Sequence, residues 1–134
     1  MQAQPRRVST GHGGAHSLRS VDFRRNANGG GRVIVVLPNA NVKISDDKRS
    51  NTLNLILHDV DVPNNWQKRL DVLDFATPVS GIQISQRGGN GHLSIIGNTG
   101  FKYRTEKSRN VYTVHIDKID TTKKKQIAEG DDGN

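Results

Sequence analysis

The sequence predicts an all-β fold: a β-sandwich of two antiparallel sheets, built from two pseudo-symmetric halves, with one short connecting helix. Three observations lead there. Apolar and polar residues alternate with a period of two over residues 21–57 and again over 82–116, as half-buried strands require. The second stretch repeats the first roughly sixty positions on, and internal repetition fixes architecture. Val21 and Phe23 answer to Ile82 and Ile84, and Val33 and Val35 to Leu93 and Ile95. Val42 and Ile44 answer to Phe101 and Tyr103, and Leu53, Leu55 and Leu57 to Tyr112, Val114 and Ile116. The glycine cluster at 29–31 falls where Gly88, Gly89 and Gly91 fall. Third, turn signals recur every eight to twelve residues or so, the spacing of a sandwich or barrel. Two copies are too few for a solenoid, but they suit two matched sheets that bury apolar faces against each other.

The elements follow in order. A first strand over 18–25 points Val21 and Phe23 one way, Asp22 and Arg24 the other. Residues 26–31, rich in Asn and Gly, form a hairpin loop. The second strand, 32–37, is apolar on both faces, so Ile34 and Val36 need a cover. The third strand spans 41–45 and ends at a polar turn over 46–51; the fourth spans 52–58. Val62, Trp66 and Leu70 are four apart, on one face of a short helix near 64–70, and Pro63 suits its first turn. Trp66 is expected to pack down on the sheet, over Ile34 and Val36. Strands five to eight follow at 79–86, 92–96, 101–104 and 110–117.

Composition sets the limits. The 134 residues suffice for one domain with tails. Hydrophobic residues are 32% of the chain and mean hydropathy is -0.68, a deficit concentrated at the ends. Residues 1–16 and 118–134 cannot bury enough surface to offset their ordering entropy. We expect a disordered N-terminal tail over 1–16, a folded domain over 17–117 and a charged flexible linker over 118–134. The absence of cysteine excludes a disulfide scaffold and thiol chemistry. No apolar run reaches the length of a membrane span, and no signal-peptide core follows Met1, so an exported protein would contain this chain only as a fragment. The net charge of +7 favours an anionic partner.

Motifs for catalysis are missing. The glycines at 29–31 are followed by a strand, where a phosphate-binding loop needs Gly-Lys-Ser/Thr and a helix. His12 and His16 lie in a Gly-rich stretch, and His58, His92 and His115 occupy strand positions facing away from the core, so no metal site is expected. Asp71 and Asp74 are better suited to capping than to acid–base work. No nucleophile motif and no cofactor motif is present; the chain reads as a non-enzyme without cofactors. Arg24, Arg25, Arg32, Lys43, Arg87, Lys102 and Arg104 are the candidate ligand-binding residues, a solvent-facing basic set suited to an anion. Single-strand nucleic-acid binders interleave aromatics with such residues. Aromatics are only 4% here, and Phe23, Phe101, Tyr103 and Tyr112 sit on core faces, which weighs against nucleic acid. Lys123, Lys124 and Lys125 read as linker.

Two stretches resemble the AMIN domain of the type IV pilus secretins, the PilQ family. Residues 18–25 (LRSVDFRR), a Gly-rich turn and 32–37 (RVIVVL) are similar to that family's opening strands. Residues 69–79 (RLDVLDFATPV) resemble its signature between the half-domains. The resemblance spans about residues 17–117. It implies a non-catalytic β-sandwich module in the periplasmic part of an outer-membrane secretin of a Gram-negative bacterium. Such a module would hold its host at the peptidoglycan, within a parent that forms a homo-oligomeric ring, and this fragment would insert in no membrane. An alternative is a module docking accessory pilus-assembly proteins by a sheet edge or by uncovered apolar surface on the second strand. A basic nucleic-acid-binding β-domain stands behind both.

Overall fold

The computed structural model describes residues 16–119. The tails expected at each end lie almost wholly outside these residues, as do His12 and the lysines at 123–125. Nine strands form two antiparallel sheets: β1 (Ser20–Arg25), β2 (Gly31–Val36), β3 (Ile44–Arg49), β4 (Thr52–Leu57), β5 (Arg69–Asp71), β6 (Val79–Arg87), β7 (Asn90–Gly97), β8 (Phe101–Ser108) and β9 (Val111–Lys118). One sheet runs β1-β2-β9-β8 and the other β3-β4-β7-β6-β5.

This topology is the sequence repeat made spatial. Carrying β1, β2, β3 and β4 onto β6, β7, β8 and β9 turns the order β1-β2-β9-β8 into β6-β7-β4-β3, the second sheet without β5. The register agrees: Gly31 pairs with Ile116, and its counterpart Gly91 pairs with Leu57. Each half therefore contributes one hairpin to each sheet, and neither half has a core of its own. The matched apolar residues meet in the middle. Val33, Val35, Leu53, Leu55, Leu57, Ile82, Ile84, Leu93, Ile95, Val114 and Ile116 are fully buried, and Phe23, Phe101 and Tyr112 nearly so. Burial of this kind stabilises by about 1.5–3 kcal/mol per large apolar side chain.

Three expectations need correction. The polar run at 46–49 is strand, not turn: β3 continues through Arg49 and reverses at Ser50 and Asn51. Asp46 and Lys48 face the interior side at this sheet edge, opposite Leu55 and Leu53. Asp46 accepts a hydrogen bond from the Tyr103 hydroxyl at 2.5 Å, and the Lys48 ammonium lies 5.1 Å from the centre of the Phe101 ring. Both partners belong to β8, so polar contacts close the β3–β8 side of the sandwich. Second, the expected helix is a single 3-10 turn at Asn64–Trp66. Its C-terminal part is drawn into pairing instead: Arg69, Leu70 and Asp71 lie against Gln83, Ile82 and Gly81 as β5. Third, Trp66 packs half-buried against the core with the Lys68 ammonium 5.0 Å over its ring, while the Lys68 carbonyl accepts from the amide of Ile84. This ties the segment to β6. Ile34 and Val36 are half-buried among their cross-strand neighbours Asp22, Thr113, Ser20 and Val111.

A second 3-10 turn, Leu73–Phe75, follows β5, with the Asp71 carboxylate accepting from the amide of Leu73 at 3.1 Å. Asp71 is not the N-cap, which is Val72 and carries no side-chain cap bond; the Asp71 carboxylate instead closes an Asx-type turn two residues on, just ahead of the 3-10 turn. Phe75 meets Phe23 edge to face, ring centres 5.2 Å apart, and covers the β1 side.

Candidate functional site

Alternation along each strand of the four-stranded sheet sends one set of side chains inward and leaves the other on a flat outer face. The pairing register then sorts that face into rows. Arg24 lies opposite Arg32, Arg32 opposite His115, and His115 opposite Arg104. One transverse row across all four strands is therefore Arg24, Arg32, His115, Arg104. Lys102 lies opposite Asp117 in the next row of this face. On the other side of the basic row, Asp22, Ile34, Thr113 and Glu106 align.

The neighbouring acids engage part of the row. The Arg24 guanidinium meets Asp22 at 3.0 Å, with side chains 63% and 53% exposed, so the pair is screened and weak. The His115 imidazole meets Glu106 at 2.7 Å and is only 15% exposed. Arg32 donates to the Asn26 side-chain oxygen at 2.5 Å. Among the described residues neither Arg32 nor Arg104 forms an ion pair with a carboxylate. A guanidinium in that state can take a carboxylate from a ligand in two parallel hydrogen bonds.

The seven candidate residues thus divide. Arg24, Arg32, Lys102 and Arg104 share the outer face of the four-stranded sheet. Arg25 ends β1 opposite Gly31, with the inward parity of Phe23. Arg87 ends β6, on the outer face of the five-stranded sheet. Lys43, just before β3, lines a surface cavity with His58, Lys107 and Tyr112. His115, which the sequence places on an outward position, is not among the seven basic candidates. Only the register shows that it continues an arginine row.

The five-stranded sheet also presents an outer face. His92 lies there between Ile56 and Ser85. Burial, then the Arg87 charge and His58, hold its pKa below the ordinary value, so this imidazole stays neutral at physiological pH. Among the described residues no group of three or more His, Cys, Asp or Glu is placed to hold a metal ion.

Residues 20–124 match the AMIN domain family, most of the chain. The chain belongs to that family. This AMIN domain is also similar to the fimbrial assembly protein PilQ of Pseudomonas aeruginosa, 27% identical over 105 residues. The match covers 78% of this chain and 15% of that relative, so the chain corresponds to a small part of its length. The central stretch at 69–79 lies within the matched span and builds β5, the second 3-10 turn and the entry to β6.

Proposed function

We propose that this AMIN domain is a non-catalytic periplasmic module, about residues 17–117, that binds peptidoglycan and helps hold an outer-membrane secretin for pilus biogenesis. The row Arg24, Arg32, His115 and Arg104 carries the reading. Peptidoglycan stem peptides bear free carboxylates, and a straight row of donors across a rigid sheet can engage more than one. Each exposed pair is worth at most about 1 kcal/mol, so one module binds weakly. A ring-forming parent repeats the module and gains affinity by avidity.

Sedimentation with purified sacculi tests this. Retention should fall as salt rises from about 0.05 M to about 0.5 M, because the screening length shortens well below 10 Å. Reversing Arg24, Arg32 and Arg104 to Glu together should weaken retention without unfolding the protein. Retention indifferent to salt and unchanged in the triple variant defeats the electrostatic mechanism. Release of soluble muropeptides by the purified domain defeats the non-catalytic reading.

A second reading is favoured by a different observation. Leu73 and Phe75 are 53% and 42% exposed on the 3-10 turn of the central stretch. These side chains would suit docking of an accessory pilus-assembly protein, and replacing both with Ser should abolish such docking while leaving sacculus retention intact.

A further inference from the structure

The pseudo-two-fold makes the two outer faces comparable position by position. It carries Arg24, Arg32, His115 and Arg104 onto Ser85, His92, Ile56 and Ser45. Those four residues also form one row: Ser45 pairs with Ile56, Ile56 with His92 and His92 with Ser85. The same backbone frame therefore bears guanidinium groups on one face and hydroxyls, a neutral imidazole and an apolar side chain on the other. The adjacent row is Asp47, Asn54, Ser94 and Gln83. Both rows line a shallow cavity of about 310 Å³, at the lower end of ligand-pocket size.

We propose that this face is a second ligand site, for an uncharged chain bearing hydroxyl and amide groups. That is the chemistry of the peptidoglycan glycan backbone, as distinct from its stem peptides, and the assignment rests on the peptidoglycan reading above. The acids at the edge are already engaged: Asp47 meets Arg49 at 2.7 Å, and Asp46 accepts from Tyr103. Arg87 is the one cation lining the cavity. A carboxylate ligand has a row of cations on the opposite face and a single cation here. What this face offers is hydrogen bonding. Gln83, Ser85 and His92 hold no side-chain hydrogen bond to another described residue. Asn54 accepts from the Ser94 hydroxyl at 2.7 Å through its amide oxygen, which leaves its amide N–H groups for a ligand. Half-buried Ile56 supplies apolar surface for the C–H face of a pyranose ring.

Amide spectra of the domain titrated with chitotetraose, an uncharged amino-sugar oligomer without peptide, test the assignment. Shifts should map to Asn54, Gln83, His92 and Ser94, persist at high salt and spare Arg32 and His115. Gln83→Ala should weaken chitotetraose binding about three- to ten-fold, the effect of one hydrogen bond. The same variant should leave binding of the free stem tetrapeptide unchanged. Absence of shifts on this face, or shifts confined to the basic row, overturns the proposal. Sacculus retention without chitotetraose binding defeats this inference alone. Chitotetraose binding without retention defeats the peptidoglycan reading and leaves a site for other uncharged glycans.

Discussion

Tyr103 holds a hydroxyl at the β3–β8 side of the sandwich, where polar contacts close it. Its hydrogen bond to Asp46, then desolvation, then the Asp46 charge, push its pKa up to about 12. The neutral phenol is thus the form the fold prefers. A raised pKa contributes stability that is complete below the unfolded value, near 10, and is lost as pH rises through the folded value. Between about pH 10 and 12 the wild type should lose more stability than Tyr103→Phe, which has no proton to release. Urea melts of both proteins at several alkaline pH values measure the difference. Equal slopes would mean that the Asp46 contact does not persist in solution. Trp66 makes a separate case. It is half-buried beside the core, so Trp66→Ala should cost about 1–3 kcal/mol, less than a fully buried Trp. A variant with full stability and lost ligand binding would move Trp66 into a site.

At the scale of elements, the two-residue turns carry stored strain. Ser50 and Arg109 have φ of 56° and 57°, in the left-handed region where an L side chain is disfavoured. They are counterparts, heading the β3–β4 and β8–β9 turns before Asn51 and Asn110. Ser50→Gly and Arg109→Gly should each raise stability by up to about 1 kcal/mol in denaturant melts. Losses instead would show that these side chains hold native contacts. The elements that were legible in the sequence are those with an alternating apolar face, and every matched pair from Val21 with Ile82 to Leu57 with Ile116 meets in the core or against it. β3 beyond Ser45 was not legible, because an edge strand needs apolar residues on neither side and charged ones guard it against further pairing. β5 carries a helical signal in the sequence for a related reason. Val62, Trp66 and Leu70 fit a helical spacing, but the main-chain groups of Arg69 and Asp71 found partners on the exposed edge of β6, which no local pattern reveals. The seven candidate basic residues were legible by type. Their division between faces was not, since it depends on pairing between strands far apart in sequence, as for Arg32 and His115.

On the scale of the whole molecule, the two-fold relation lets one half serve as a control for the other. Gly31 and Gly91 are counterparts with different surroundings. A Cβ on Gly31 would stand 2.5 Å from the tip of the Phe23 ring, whereas one on Gly91 would stand 3.1 Å from a Val62 methyl group. Gly31→Ala should therefore cost about 1–3 kcal/mol, and Gly91→Ala less, because only the first forces an aromatic ring to move. Denaturant melts of the pair decide it, and equal costs would place Phe23 differently from its position against Phe75.

The path of the chain through the four-stranded sheet has a mechanical meaning. β1 begins beside Val36 and Val111 at one end of that sheet, and β9 finishes at Lys118 at the other. The two strands run in the same direction with β2 between them. A pull on the domain from Leu18 and Lys118 is directed along the strands, so the rungs of both ladders share the load and must give way together. Handles at Phe101 and Lys118, which face each other across β8 and β9, would open that ladder one rung at a time. Single-molecule stretching should find the first geometry several times stronger than the second, so the direction in which the two chain ends are pulled sets the load this domain bears.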